Sequence, residues 1–253
     1  MFTRAITCTP CQNMINGISN ANLGLPDYQL ALKQHKSYVA ALAQCGLDVT
    51  ILAADEAYPD STFVEDAALL TPHCAIITRP GAPSRQGEIG RVAAALTAFY
   101  DNIEQITVPG TVEGGDVMMV GSHFYIGLSQ RTNRAGANQL INILQKHGLT
   151  GSVVPLQKVL HLKTGVAYLE NNNLLAHGEF LDTPNFQQFN IIPIDDAESY
   201  AANCIWVNGT VLVPAGFPLT AAAIERAGYP TLSVDVSEFR KLDGGLSCLS
   251  LRF

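Results

Sequence analysis

Charge is scarce in this chain. Asp, Glu, Lys and Arg make up 15% of its 253 residues, and the acids prevail for a net charge of −7. That balance argues against nucleic acid or an anionic membrane as a partner, because both reward basic patches. Low charge beside 47% hydrophobic residues also favours a folded core over disorder. Long apolar runs are missing: nothing approaches the roughly 18 residues of a membrane span. The start, Met1-Phe2-Thr3-Arg4-Ala5-Ile6, turns polar by Thr7, unlike a secretory signal. A cytoplasmic protein is expected, in which the six cysteines need not pair. The six histidines show no metal-ligand spacing. No Gly-rich phosphate loop follows a strand-like segment, and Cys8-Thr9-Pro10-Cys11 has no second CxxC to complete a zinc site. Neither a metal nor a cofactor is expected.

What is present concentrates at the C-terminus. Asp243-Gly244-Gly245 leads into Leu246-Ser247-Cys248-Leu249-Ser250-Leu251-Arg252-Phe253. Read as a strand, this segment puts Leu249, Leu251 and Phe253 on one face and Cys248, Ser250 and Arg252 on the other. A structural cysteine belongs with the leucines. One on the polar face, just after a turn that lets a ligand approach backbone, is a nucleophile candidate.

The chain also repeats itself. Strand, strand, helix, strand recurs with a period of roughly 40 to 55 residues, within the range of repeat architectures. First strands are predicted at Phe63–Leu70, Asp116–Val120, Gly165–Leu169, Ala201–Val207 and Leu246–Arg252. Helices are predicted from Pro26-Asp27 to Gly46, over Glu88–Tyr100, Arg134–His147 and Thr220–Ala227, with only a short Pro184–Phe189 in the fourth module. The fifth first strand has no partner after it. Arg4–Pro10 resembles Cys74–Pro80, with Ala-Ile and Pro in register, so the N-terminal strand is predicted to complete the last module and close a ring. The expectation is an α/β fold: five modules around a pseudo-fivefold axis, in a single domain over residues 1–253.

In such a ring, polar residues at equivalent module positions converge on the axis. The first module offers Asp60, Glu65 and Asp66, the second Glu113 and Asp116, the third His161 and Lys163, the fourth Asn203 and Cys204, and the fifth Cys248. Glu113-Gly114-Gly115-Asp116 reads equally as a solvated turn or as a site where a ligand meets backbone. The acids together suit a guanidinium, whose planar fork matches paired carboxylates. His161 is the candidate general acid/base for a thiol, since the thiolate is the nucleophilic form. Arg85 and Arg131 precede helices at matching places in adjacent modules, as a clamp for a substrate carboxylate would.

These segments, in order, resemble the dimethylarginine dimethylaminohydrolase family of guanidine-modifying (pentein) enzymes, bacterial type. The resemblance rests on FVED (63–66), TVEGGDVMMVG (111–121), GLSQRTN (127–133), HLKTGVAYLE (161–170), NFQQFNII (185–192), YAANCIWVN (200–208) and DGGLSCLSLRF (243–253). It implies a five-bladed αβ propeller that hydrolyses Nω,Nω-dimethyl-L-arginine, or the monomethyl form, to citrulline and the amine. It further implies Cys248 as nucleophile, His161 as general acid/base, and Asp66 and Glu113 on the guanidinium. Asp60 and Glu65 would line the pocket, Arg85 and Arg131 would bind the α-carboxylate, and backbone carbonyls of Ile18 and Leu242 the α-amino group. Residues 11–25 would form a lid. The implied partner is a methylated arginine, without nucleic acid or membrane, and exposed strand edges are compatible with a homodimer. Two alternatives stay open: an arginine deiminase, and a non-catalytic module that binds arginine derivatives.

Overall fold

The two longest helices each start after a residue whose side chain takes up a free amide. In the computed structural model, which describes residues 1–253, β1 (Arg4–Cys8) is followed by α1 (Tyr28–Gln44) and β2 (Asp48–Leu52). The next unit comprises β3 (Ala68–Leu70), β4 (Ala75–Ile77), α2 (Ile89–Leu96) and β5 (Ile103–Gln105). Then come β6 (Val117–Val120), β7 (His123–Leu128), α3 (Arg134–Lys146) and β8 (Thr150–Pro155). The following unit, β9 (Val166–Tyr168), β10 (Asn173–Ala176) and β11 (Asn190–Pro193), has two 3-10 turns, Gly178–Phe180 and Pro184–Phe186, in place of a helix. Last are β12 (Ile205–Val207), β13 (Thr210–Pro214), α4 (Pro218–Arg226), β14 (Thr231–Val234), the short α5 (Ser237–Arg240) and β15 (Leu251–Arg252). Asp27 caps α1 by accepting from the Leu30 amide, and Gly46, at φ +89°, ends it. Asn133 caps α3 through the Gly136 amide.

Five three-stranded sheets result, each with its first strand antiparallel to the second and the second parallel to the third. The fifth sheet is assembled from both chain ends in the order β15-β1-β2, with Ala5 opposite Arg252 and Ile6 opposite Leu251. The predicted ring closure is therefore present, and the fold is the expected five-bladed αβ propeller.

The cores lie between blades. One cluster joins Ile6, Cys8 and Leu251 of the closing blade to Val64, Ile77 and Leu96 of the next, and another joins Met118 and Tyr125 to Leu162, Leu174 and Phe186. Burying one such Leu, Ile or Phe side chain contributes about 1.5–3 kcal/mol, so each blade depends on its neighbour. Tertiary packing also shortens α2 relative to the predicted Glu88–Tyr100. Phe99 and Tyr100 leave the helix to meet Phe253, at ring-centroid distances of 5.3 and 5.6 Å.

The first strands are shorter than the apolar pattern predicts. Val64–Ala67, Gly114–Asp116, Leu162–Thr164 and Ser247–Leu249 are 3-10 turns, and each strand begins only after its turn. The alternation expected for residues 246–252 is therefore corrected: Cys248 sits in a turn, not on the polar face of a strand. Neighbouring side chains explain the difference, because they take turn amides that a strand would have used. Asp66 Oδ1 accepts from Gly115 N (2.9 Å), Asp116 Oδ1 from Leu162 N (3.0 Å) and Asn203 Oδ1 from Ser247 N (2.8 Å).

Candidate active site

Those turns place the polar residues at one end of the ring axis. A cavity of about 40 Å³ there is lined by Ile18, Asp60, Asp66, Arg85, Glu113, Arg131, His161, Leu242 and Cys248, among others. Nine of the ten residues predicted for the site thus converge. The tenth, Glu65, lies behind Cys248, where its carboxylate accepts from Lys163 Nζ (2.5 Å) and Ser247 Oγ (2.7 Å) and faces the opposite end of the axis.

Glu113 is fully buried and its carboxylate is divided between two tasks. Oε2 lies 2.7 Å from His161 Nε2, while Oε1 accepts from the Gly81 amide (3.0 Å) and Arg131 Nη1 (3.4 Å). The imidazole packs against Gly115, where a Cβ would stand 2.9 Å from Nδ1; only glycine leaves room for the ring. Burial works against an imidazolium here. The Glu113 hydrogen bond, with the charges of Asp66, Asp116 and Glu113, outweighs it and raises His161 to about 9.

Asp66 is held from both sides, by the Gly115 amide at Oδ1 and by Arg85 Nη1 at Oδ2 (2.7 Å). Burial disfavours its charge, but the Arg85 guanidinium prevails and holds the carboxyl below its ordinary range. Arg85 is itself buried. Its Nε and Nη2 donate to Glu88, and Nη2 also reaches the carbonyls of Phe63 and Asp60, which leaves one Nη1 hydrogen unused. Arg131 is less engaged. Asp60 accepts from the Ile18 amide (3.1 Å), which ties the 11–25 segment down over the cavity, and burial raises its pKa. The Ser19 hydroxyl donates to the Lys241 carbonyl (2.6 Å) and the Asn20 amide to Asp243 (2.6 Å), adding two further ties.

The Cys248 thiol is half-buried, with Asn203 Nδ2 and Ser247 Oγ each 3.9 Å from Sγ. Burial, followed by the Glu65 and Asp66 carboxylates, pushes the thiol up to about 12. Asp66, Glu113 and His161 bring three ligand atoms within 4.8 Å of one another, but each already has a protein partner. Cys8 and Cys11 are unpaired and away from this cavity, as is the buried Cys204. Sequence reasoning missed Glu88 and Ser247. Glu88 was legible as an i,i+3 partner of Arg85; nothing in the sequence marks Ser247.

Residues 90–212 match the family model described as arginine deiminase. Over its whole length the chain is 59% identical to the N(G),N(G)-dimethylarginine dimethylaminohydrolase of Pseudomonas aeruginosa, covering all of that protein. Two solved structures superpose with a TM-score of 0.99 at 58% identity, each chain fully covered. One is a mutant of the Pseudomonas aeruginosa enzyme complexed with citrulline, the other a dimethylarginine dimethylaminohydrolase adduct with S-methyl-L-thiocitrulline.

Proposed function

The chain belongs to the dimethylarginine dimethylaminohydrolase family, and we propose that it hydrolyses Nω,Nω-dimethyl-L-arginine, or the monomethyl form, to L-citrulline and the amine. One observation carries this reading: a thiol, a carboxylate-bound imidazole and the Asp66 and Glu113 carboxylates line one cavity. Residues 1–253 act as one catalytic unit, with 11–25 as its lid.

Asp66 and Glu113 engage the guanidinium nitrogens and turn its central carbon toward Sγ, which is chiefly a positioning effect. At rest the thiol is protonated, since its pKa lies far above neutral. A guanidinium bound beside it offsets the Glu65 and Asp66 charges and favours the thiolate, so substrate helps to generate its own nucleophile. The thiol proton passes to solvent as the cation binds, and sulfur adds to the carbon. His161, an imidazolium at neutral pH, gives its proton to the departing dimethylamine and leaves a thiouronium on Cys248. The neutral imidazole then takes a proton from water, which attacks the same carbon, and citrulline leaves as the thiol is restored. At the far end, Arg131 and the remaining Nη1 hydrogen of Arg85 take the α-carboxylate, while Asp60 sets Ile18, whose carbonyl joins that of Leu242 on the α-amino group. Glu65 supports Cys248 from behind.

The match to the arginine deiminase model supports a second reading, in which arginine is the substrate and ammonia the product. Supplying each substrate and measuring dimethylamine and ammonia decides between them. Dimethylamine from dimethylarginine, with arginine inert, is expected; ammonia from arginine would overturn the proposal. The six unpaired thiols support a cytoplasmic setting, which fractionation of the source cells tests. Outer-strand side chains such as Ile51 and Ile103 offer a face for a homodimer, which sedimentation equilibrium tests.

A further inference from the structure

Three blades share a device: a side chain just before the first strand accepts a backbone amide from the next blade's turn. Asp66 and Asp116 do so with carboxylates, whereas Asn203 does so with an amide. The two acids serve the turns beside and under His161, whose cation they favour. Asn203 serves the turn that carries Cys248. An acid there would set a further negative charge, beside those of Glu65 and Asp66, against a thiolate.

Proton accounting fixes which way the Asn203 amide faces. The Ser247 amide must donate to an acceptor, so Oδ1 takes that bond at 2.8 Å and Nδ2 points to the other side. On that side are Ser247 Oγ (3.2 Å) and Cys248 Sγ (3.9 Å). The Ser247 hydroxyl hydrogen is given to Glu65 Oε2 at 2.7 Å, so that oxygen accepts from Asn203 and has no hydrogen left for sulfur. Nδ2 is therefore the side-chain donor left facing Sγ on this side. Gly245 supports the same geometry: a Cβ there would stand 2.5 Å from Asn203 Cγ and force the amide off its seat.

We infer that Asn203 is a further catalytic residue, whose side-chain N–H donates to Cys248 Sγ and stabilises the thiolate. The inference rests on Cys248 being the nucleophile, as proposed above. The other titratable groups around the sulfur are Glu65 and Asp66, the His161 imidazole and the Tyr200 phenol; none of the substitutions below changes them.

The test is alkylation of the intact protein by iodoacetamide at pH 8, read by mass spectrometry of the peptide that carries Cys248. Iodoacetamide reacts with the thiolate, so its rate follows the thiolate fraction. Asn203→Ala is expected to slow alkylation about tenfold, one pH unit of thiol acidity, and to lower kcat by a similar factor with KM little changed. Asn203→Asp keeps the size, still accepts the Ser247 amide, and serves if the alanine variant does not fold. A merely structural role slows the alanine variant only through a disturbed turn, with KM raised alongside; donation to sulfur slows alkylation and kcat at an unchanged KM, and the carboxylate of the aspartate variant adds its own charge and slows alkylation further. Unsubstituted alkylation and turnover in Asn203→Asp would overturn the inference. Full turnover by Cys248→Ser would instead overturn the proposed function, a result distinct from any change in thiol reactivity.

Discussion

The two ends of the ring axis are bounded by the same five blades, yet they differ in kind. One end is a cavity of about 40 Å³ bounded by Asp60, Asp66, Arg85, Glu113, His161 and Cys248, all of them buried except the half-buried cysteine. The other is a wider hollow of about 160 Å³ lined chiefly by apolar side chains from all five first strands, among them Leu69, Met118, Ala167, Trp206 and Leu251. Between them stands a polar wall of Glu65, Lys163 and Ser247. The larger space carries the less chemistry. What separates the two is backbone state. Where the chain is already a strand, its amides pair with other strands and its side chains pack. Where it is still a 3-10 turn, amides are left to bond side-chain acids and amides of the preceding blade, and buried polar side chains find the partners they need.

The sharpest way to break this contrast is at the sulfur. Cys248→Ser should lose turnover by about a thousandfold or more, as removal of a nucleophile does, while thermal unfolding stays near that of the unsubstituted protein. Substantial citrulline release by this variant would refute the nucleophile assignment. A smaller but clear effect is expected at the wall. Lys163→Met leaves the buried Glu65 carboxylate only the more distant Arg252, at 3.9 Å, as a cation, and the cost is about 3 kcal/mol of stability by denaturant unfolding. Unchanged stability would mean that the wall is solvated and the two cavities are not separate environments.

At the substrate's far end, Arg131→Ala should raise KM about tenfold, with a lesser effect on kcat, the signature of binding lost equally in ground and transition states. If kcat falls as much as kcat/KM, Arg131 acts on the guanidine end through Glu113, to which its Nη1 lies 3.4 Å away. The smallest change belongs to the apolar hollow. Met119→Ala, at its rim and 37% exposed, should alter stability by no more than about 0.5 kcal/mol and leave both kinetic constants alone. A kinetic defect there would show that the hollow takes part in the reaction.

Much of this arrangement was legible in the sequence because repeats constrain one another. The period placed the sheets, and the likeness of Arg4–Pro10 to Cys74–Pro80 gave the closure seen as β15-β1-β2. Matching positions across modules were enough to gather Glu113, His161 and Cys248 on one axis. The same pattern misread the turns. Alternation from Leu246 to Arg252 looks like a strand, since nothing local reveals that Asn203, more than 40 residues away, will take the Ser247 amide. The ion-pair partners of Glu65 and Arg85 were hidden for the same reason. Which distant buried partner a charged side chain finds, Lys163 for Glu65 or Asp66 for Arg85, is decided by how blades pack rather than by spacing along the chain.

The central claim is that chemistry passes through a covalent bond to Cys248 which His161 is needed to release. S-methyl-L-thiocitrulline carries a leaving group that departs without an acid, so with His161→Gly the adduct should form and persist. Mass spectrometry of the quenched, digested protein is expected to show the added group on the peptide containing Cys248, with little citrulline released. Citrulline accumulating at the unsubstituted rate with that peptide unmodified, or modification on another cysteine, would contradict the account.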